Sequence, residues 1–155
     1  MTIMDALAAA HPPEAGWVFV RELRMGTGYG RSVEQRLDAW AVQCWRARNG
    51  VVNLRRAFEV KERVEDLRAE LRNPDKRWQA KAVSHEFYFV APAGLVPLAL
   101  LDADDGLMEF DGERVRVVRA AKVREAMHPR WDFVAGLART LRGQAESAGA
   151  AKLFC

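Results

Sequence analysis

Asp38 stands inside an otherwise apolar stretch, Leu37 to Trp45 (LDAWAVQCW), and Glu59 and Lys61 flank Val60 in another, Leu54 to Glu62 (LRRAFEVKE). Side chains alternate along a strand, so Glu59 and Lys61 share one face while Phe58 and Val60 take the other. If the two stretches pair, Asp38 comes beside Glu59. Two carboxylates in one site raise a pKa strongly, and a hard divalent cation such as Mg²⁺ relieves the repulsion while taking oxygen ligands and keeping several waters. The same residues also fit a plainer pattern. Asp38 paired with Arg36, and Glu59 with Lys61, would make a salt-bridged strand face of slight energetic worth.

The elements that must position these residues follow from periodicity and punctuation. Met4 to Ala10 reads as a short helix stopped by His11-Pro12-Pro13, and Trp17 to Leu23 (WVFVREL) as a first strand running into the Gly26 to Gly30 loop. Leu37 to Trp45 and Leu54 to Glu62, separated by the turn Asn49-Gly50, complete a three-strand meander. From Val64 to Ser84 the period becomes helical, with Leu67, Leu71, Trp78 and Ala82 on one face and Asn73-Pro74 as a kink or a break between two helices. Glu86 to Ala91 (EFYFVA) predicts a strand buried on both faces, Arg114 to Arg119 (RVRVVR) an outer strand after the turn Asp111-Gly112, and Pro129 to Gln144 a final amphipathic helix. The expected order is helix, three strands, helix, strand, strand, helix.

Asp38, a gap of about twenty residues, and then Glu59-Val60-Lys61 on a strand followed by a helix resembles the PD-(D/E)XK nuclease superfamily. The stretches FEVK and NPDKRWQAKAVSHEFYFVAPAGLV, with Gly106-Leu107 after them, look more narrowly like the bacterial and phage group related to the MmcB-like DNA repair proteins. Motif and element order together cover roughly residues 1–92. That group usually carries a small polar stretch and Asp-Phe after the Glu-x-Lys strand. Here the segment is Glu62-Arg63-Val64-Glu65-Asp66-Leu67, so Asp66 matches and the residues before it depart.

The resemblance implies an α/β fold with a restriction-endonuclease-like core, a mixed central β-sheet flanked by helices. It implies DNA as substrate, Mg²⁺ or Mn²⁺ as cofactor, and hydrolysis leaving a 5′ phosphate. Asp38, Glu59 and the Val60 carbonyl would hold the metal, with Asp38, Glu59 and Lys61 forming the catalytic set and Lys61 positioning and helping to activate water. A glutamate from the first helix or strand often joins such sites; Glu22 is the candidate, with Glu34 as the alternative and a surface ion pair as the plain role for Glu22. Lys76, Arg77 and Lys81 on the helix after the motif would face phosphates or simply be a solvated face. Gln79 and Asp66 are possible accessories to the site.

Tyr29 and Arg31, in and just after the glycine-rich loop, are further candidates for contact with a nucleic-acid backbone, although a plain turn explains that loop equally. It lacks the Gly-Lys-Ser/Thr of a phosphate-binding P-loop. Arg55 and Arg56 fit either a solvated edge or phosphate contacts. Trp40, Trp45, Trp78 and Trp131 read as core, His85 as a local hydrogen-bonding residue, and His11 and His128 as loop residues.

Composition bounds these expectations. The chain has 155 residues, 50% hydrophobic and 29% charged, which suits one packed domain over residues 1–147 with a small-residue tail over 148–155 expected to be mobile. Net charge is +3, but residues 21–81 carry 15 Lys/Arg against 9 Asp/Glu, so the basic excess coincides with the motif. Such an excess attracts polyanions. No apolar run reaches the ~18–20 residues of a membrane span, and Cys44 and Cys155 make neither a metal spacing nor a disulfide framework, which points to the cytoplasm. The absence of a recognition module suggests a homodimer or a partner protein as the source of substrate choice.

Overall fold

The computed structural model describes residues 1–25 and 36–153, with side chains as far as residue 149. Ten regular elements follow one another: α1 (Ile3–Ala9), β1 (Trp17–Arg24), β2 (Arg36–Gln43), β3 (Arg55–Val60), α2 (Val64–Leu71), α3 (Trp78–Ala82), β4 (Glu86–Pro92), β5 (Gly106–Phe110), β6 (Val115–Arg119) and α4 (Trp131–Leu153). The strands form one six-stranded sheet in the order β1-β2-β3-β4-β5-β6. β1–β2, β2–β3 and β5–β6 are antiparallel, whereas β3–β4 and β4–β5 are parallel. A parallel pair requires a crossover, and between β3 and β4 that crossover is α2 and α3.

Helices cover both faces. On one, Leu67 of α2, Ala80 of α3 and Phe133 of α4 pack with Val20, Trp40, Ala57, Phe87 and Phe89 of the sheet. On the other, Ile3 and Leu7 of α1 pack with Trp17, Phe58, Tyr88 and Val90. α1 starts on a reciprocal cap in which the Thr2 hydroxyl accepts from the Asp5 amide at 3.1 Å and the Asp5 carboxylate accepts from the Thr2 amide at 3.3 Å. α2 has no side-chain cap at Arg63; Glu65 and Asp66 in its first turn favour the positive end of the helix instead.

One open alternative is decided and two expectations need correction. The segment from 64 to 84 is two short helices joined by a 3₁₀ turn, Pro74–Arg77, because proline starts a new turn and cannot continue the old one. A strand absent from the sequence reading, β5, lies between β4 and β6. It hides behind Asp102-Ala103-Asp104-Asp105-Gly106, where the glycine looks like loop punctuation; a Cβ at Gly106 would come within 2.3 Å of the Tyr88 ring, so the glycine permits close packing rather than a turn. The final helix, expected over Pro129 to Gln144, starts at Trp131 and runs to Leu153, through a segment, AGAAKL, that contains mainly good helix formers.

Candidate functional site

The pairing of β2 with β3 ends at Ala39 opposite Phe58. One step further along both strands lie Asp38 and Glu59. The ladder does not continue there: the Val60 amide donates to the Asp38 carboxylate at 2.8 Å, a side chain serving as partner to a backbone donor at the point where the strands part. Lys61, just past the end of β3, keeps to the side of Glu59, and its Nζ lies 2.8 Å from Glu59 Oε1.

Lys61 also reaches Glu70 of α2, Nζ to Oε2 at 3.3 Å. Glu70 in turn lies 3.7 Å from Arg77 Nη1, which donates to the Glu70 carbonyl at 2.8 Å. Fully buried Leu67 anchors α2 to the sheet three residues earlier and so carries Glu70 inward. The site is therefore a chain of ionisable groups, Asp38, Glu59, Lys61, Glu70 and Arg77, drawn from two strands, the residue that follows β3, a helix and a turn. The side chains of Glu59, Lys61 and Glu70 are only 14%, 11% and 11% exposed, so this is not the open salt-bridged strand face that the sequence also allowed.

Electrostatics distinguish its members. Glu59 is pushed up to about 7, first by burial and then by the negative charge of Asp38, against the opposing hydrogen bond from Lys61. Asp38 is raised as well, by burial, despite the Val60 amide and Lys61. For Lys61 burial favours the neutral amine, but the hydrogen bonds and charges of Glu59 and Glu70 outweigh it and the pKa is raised. The ammonium form is the resting state.

Glu22 does not join this cluster. Continued alternation from Val20 would point it inward, but Glu22 adopts φ 52, a left-handed conformation that shifts the phase of β1 by one residue. Leu23 takes the inward place, fully buried, and Glu22 turns out to an exposed ion pair with Arg36, 2.7 Å apart. β2 shifts phase alongside it, since Leu37 as well as Trp40 joins the core on this face. Asp66, one turn before Glu70, is exposed.

The basic candidates are placed differently from expectation. Arg77 is 4% exposed and committed to Glu70, and Lys81 is paired with the fully buried Asp105 at 2.7 Å. Both sit against the core because the 3₁₀ turn rotates them toward it; Lys76 is exposed. Gln79 is half-buried, with a buried Oε1 that has no hydrogen-bond partner. Tyr29, Arg31 and Glu34 lie outside the described residues. Arg56 is buried against Glu86, and Arg55 donates to the carbonyls of Val83 and Met127, so neither is a solvated edge. Trp40 is core, its indole donating to Ser84 Oγ at 3.1 Å, but Trp45, Trp78 and Trp131 are exposed. His11 is buried rather than in an open loop, and the Nδ1 of His85 accepts from the Arg55 amide at 3.0 Å.

The donor set at Asp38 and Glu59 suits a hard cation: two carboxylates whose ionisation the fold disfavours, with the backbone of Val60 between the motif residues. Among the described residues no three His, Cys, Asp or Glu side chains converge closely enough to hold an ion by themselves. Asp38, Glu59 and the Val60 carbonyl would hold it, and water would complete the shell, as Mg²⁺ commonly allows.

Fold and site together define an α/β protein with a six-stranded mixed sheet flanked by helices and a buried acidic and basic cluster where β2 and β3 diverge. The fold is similar to that of the SPO1766 protein of unknown function from Silicibacter pomeroyi, with a TM-score of 0.63 over 98% of this chain and 92% of that one, at 19% identity. At that identity the likeness shows the fold alone. No protein-family model matches the chain, and no curated protein matches it. Among the described residues no helix is long and apolar enough to cross a membrane.

Proposed function

We propose that this chain is a metal-dependent DNA phosphodiesterase of the PD-(D/E)XK kind, acting in repair, recombination or phage-related DNA processing in the cytoplasm. The observation that carries the proposal is the meeting of Asp38 and Glu59 at the divergence of β2 and β3 with Lys61 on the Glu59 face. The succession of a helix, three antiparallel strands, a helical crossover and a strand parallel to β3 supports it, as does the resemblance of the motif. A bound Mg²⁺ or Mn²⁺ would supply Lewis-acid polarisation of the scissile phosphate. Asp38 and Glu59 would hold that ion once ionised. Lys61, as an ammonium, would donate a hydrogen bond that places the attacking water and would stabilise charge developing on the phosphate oxygens. Glu70 keeps Lys61 aimed and charged. A second copy of the chain or a partner protein would supply substrate choice.

The test is cleavage of labelled single-stranded, duplex, flap and four-way-junction DNA with Mn²⁺, Mg²⁺ or EDTA. The native chain is expected to cut with either ion and not with EDTA. Glu59→Ala and Lys61→Ala, still folded, are expected to lose roughly a hundredfold or more of the rate. One observation favours a second reading, a non-catalytic nucleic-acid-binding scaffold: Lys61 already lies between Glu59 and Glu70, so the cluster is charge-compensated as it stands. Melting in Mn²⁺ separates the two. The nuclease is stabilised by the ion and Asp38→Ala is not, whereas a scaffold shows no shift in either.

A further inference from the structure

Arg77 ends the 3₁₀ turn that follows α2, outside the Asp38–Glu59–Lys61 motif, and its side chain is 4% exposed. A residue so placed cannot meet a DNA phosphate, the role its charge suggests, without leaving its seat. Glu70 lies in the last turn of α2, where carbonyls lack partners inside the helix. Arg77 Nη1 donates to the Glu70 carbonyl at 2.8 Å, a cation at the negative end of a helix, and the guanidinium rests over the Phe89 ring of β4, 5.7 Å from its centroid.

Those contacts alone would make Arg77 a helix cap. The carboxylate of Glu70 shows more. Arg77 Nη1 lies 3.7 Å from its Oε1, while Lys61 Nζ lies 3.3 Å from its Oε2. Two cations on two different oxygens restrain the carboxylate from turning about its last bond, a freedom that a single partner would leave it. Lys61 ends a flexible four-carbon stem and holds its aim only while both sides of the ammonium are bound, Glu59 Oε1 at 2.8 Å on one side and Glu70 on the other. The order of dependence therefore runs from Arg77 to Glu70 to Lys61.

We infer that Arg77 is a positioning residue of the site: it fixes the Glu70 carboxylate, and through it the ammonium of Lys61, and does not itself contact substrate. What Lys61 is positioned to do rests on the nuclease reading; that Arg77 positions it does not.

Nitrogen-15 spectra of the lysine ammonium groups and cleavage kinetics, both on the full chain, test it together. Lys61 and Lys81, each ion-paired and poorly exposed, should give slowly exchanging ammonium signals, with Lys61 assigned by its loss in Lys61→Arg. Arg77→Met and Glu70→Gln are expected to shift or broaden the Lys61 signal and to leave that of Lys81, held by Asp105, in place; a merely structural loss would move both. In cleavage, Arg77→Met is expected to lower kcat roughly tenfold with KM unchanged, and to lower it no further when added to Glu70→Gln, because it acts through Glu70. Arg77→Lys, which keeps a cation beside the carboxylate, should show the same pattern in weaker form and carries the comparison should Arg77→Met not fold. No slowly exchanging Lys61 signal in the native chain, a Lys61 signal unchanged in both Arg77 variants, equal disturbance of Lys61 and Lys81, a raised KM with kcat unchanged, or additive losses in the double variant would overturn the inference. If the native chain cuts no DNA, the nuclease reading falls and the ammonium spectra alone decide the role of Arg77.

Discussion

Glu59 holds its proton to about pH 7 because burial and the neighbouring Asp38 charge both disfavour the carboxylate. Below pH 4.5 the proton is bound in folded and unfolded chains alike; from there to about 7 only the folded chain keeps it, so this contribution to stability is lost as pH rises through that window. Asp38, also raised, adds to the same trend. Glu59→Gln is uncharged throughout and should flatten the decline, ending above pH 7 more stable than the native chain by on the order of 1 kcal/mol. Urea unfolding at pH 5 and pH 8 checks this, and parallel declines in the two proteins would exclude it. Asp38, Glu59 and Lys61 were legible in the sequence because charged residues interrupt apolar strands. Glu70 was not: in sequence it is one of several acids on a polar helix, and only the docking of Leu67 turns it toward Lys61.

At the scale of the element, one residue decides which side chains β1 offers to the site. A left-handed residue in mid-strand costs of order 1–3 kcal/mol, and a β-branched side chain tolerates it least. Glu22→Val should therefore destabilise the fold by about 1–2 kcal/mol, while Glu22→Gly, which relieves the strain but loses only an exposed ion pair with Arg36, should not. Denaturant midpoints of the two variants give the comparison, and equal losses would show that the strain is absent. Strict alternation could not foresee this, since no residue type at 22 announces positive φ as glycine would. β5 was missed for the converse reason: Gly106 announces a turn and instead makes room for Tyr88. The meander and β4 were legible because their patterns agree with their burial; in the crossover helices Leu67 is buried as its spacing requires, but Trp78, expected on the same face, is exposed.

At the scale of the molecule, a second buried network ties the opposite face together. Arg56 of β3 pairs with Glu86 of β4, 1% exposed, which also accepts from the Asn49 side chain at 2.9 Å; Arg56 Nη1 lies 3.4 Å from His11 Nε2 and its guanidinium lies over the Trp17 ring. His11 donates from Nδ1 to the Leu7 carbonyl at 2.8 Å, and burial lowers its pKa to about 4, so it remains neutral beside the arginine. Glu86→Ala leaves Arg56 charged and unpaired and should cost about 3–5 kcal/mol, read as a fall in the urea midpoint. A loss under 1 kcal/mol would mean that water reaches Arg56. A different consequence follows from the sheet, whose spatial order repeats its order along the chain. As the polypeptide emerges from a ribosome, each new strand meets an edge already made, and Asp38, Glu59, Lys61 and Glu70 can assemble before the second half is synthesised. α4 must travel back to the first strand, where Gln144 donates to the Arg21 carbonyl at 2.7 Å across 123 positions of sequence. The cluster is thus built from contacts within the first half of the chain, and the long loop that α4 closes is completed only when the far end has been made.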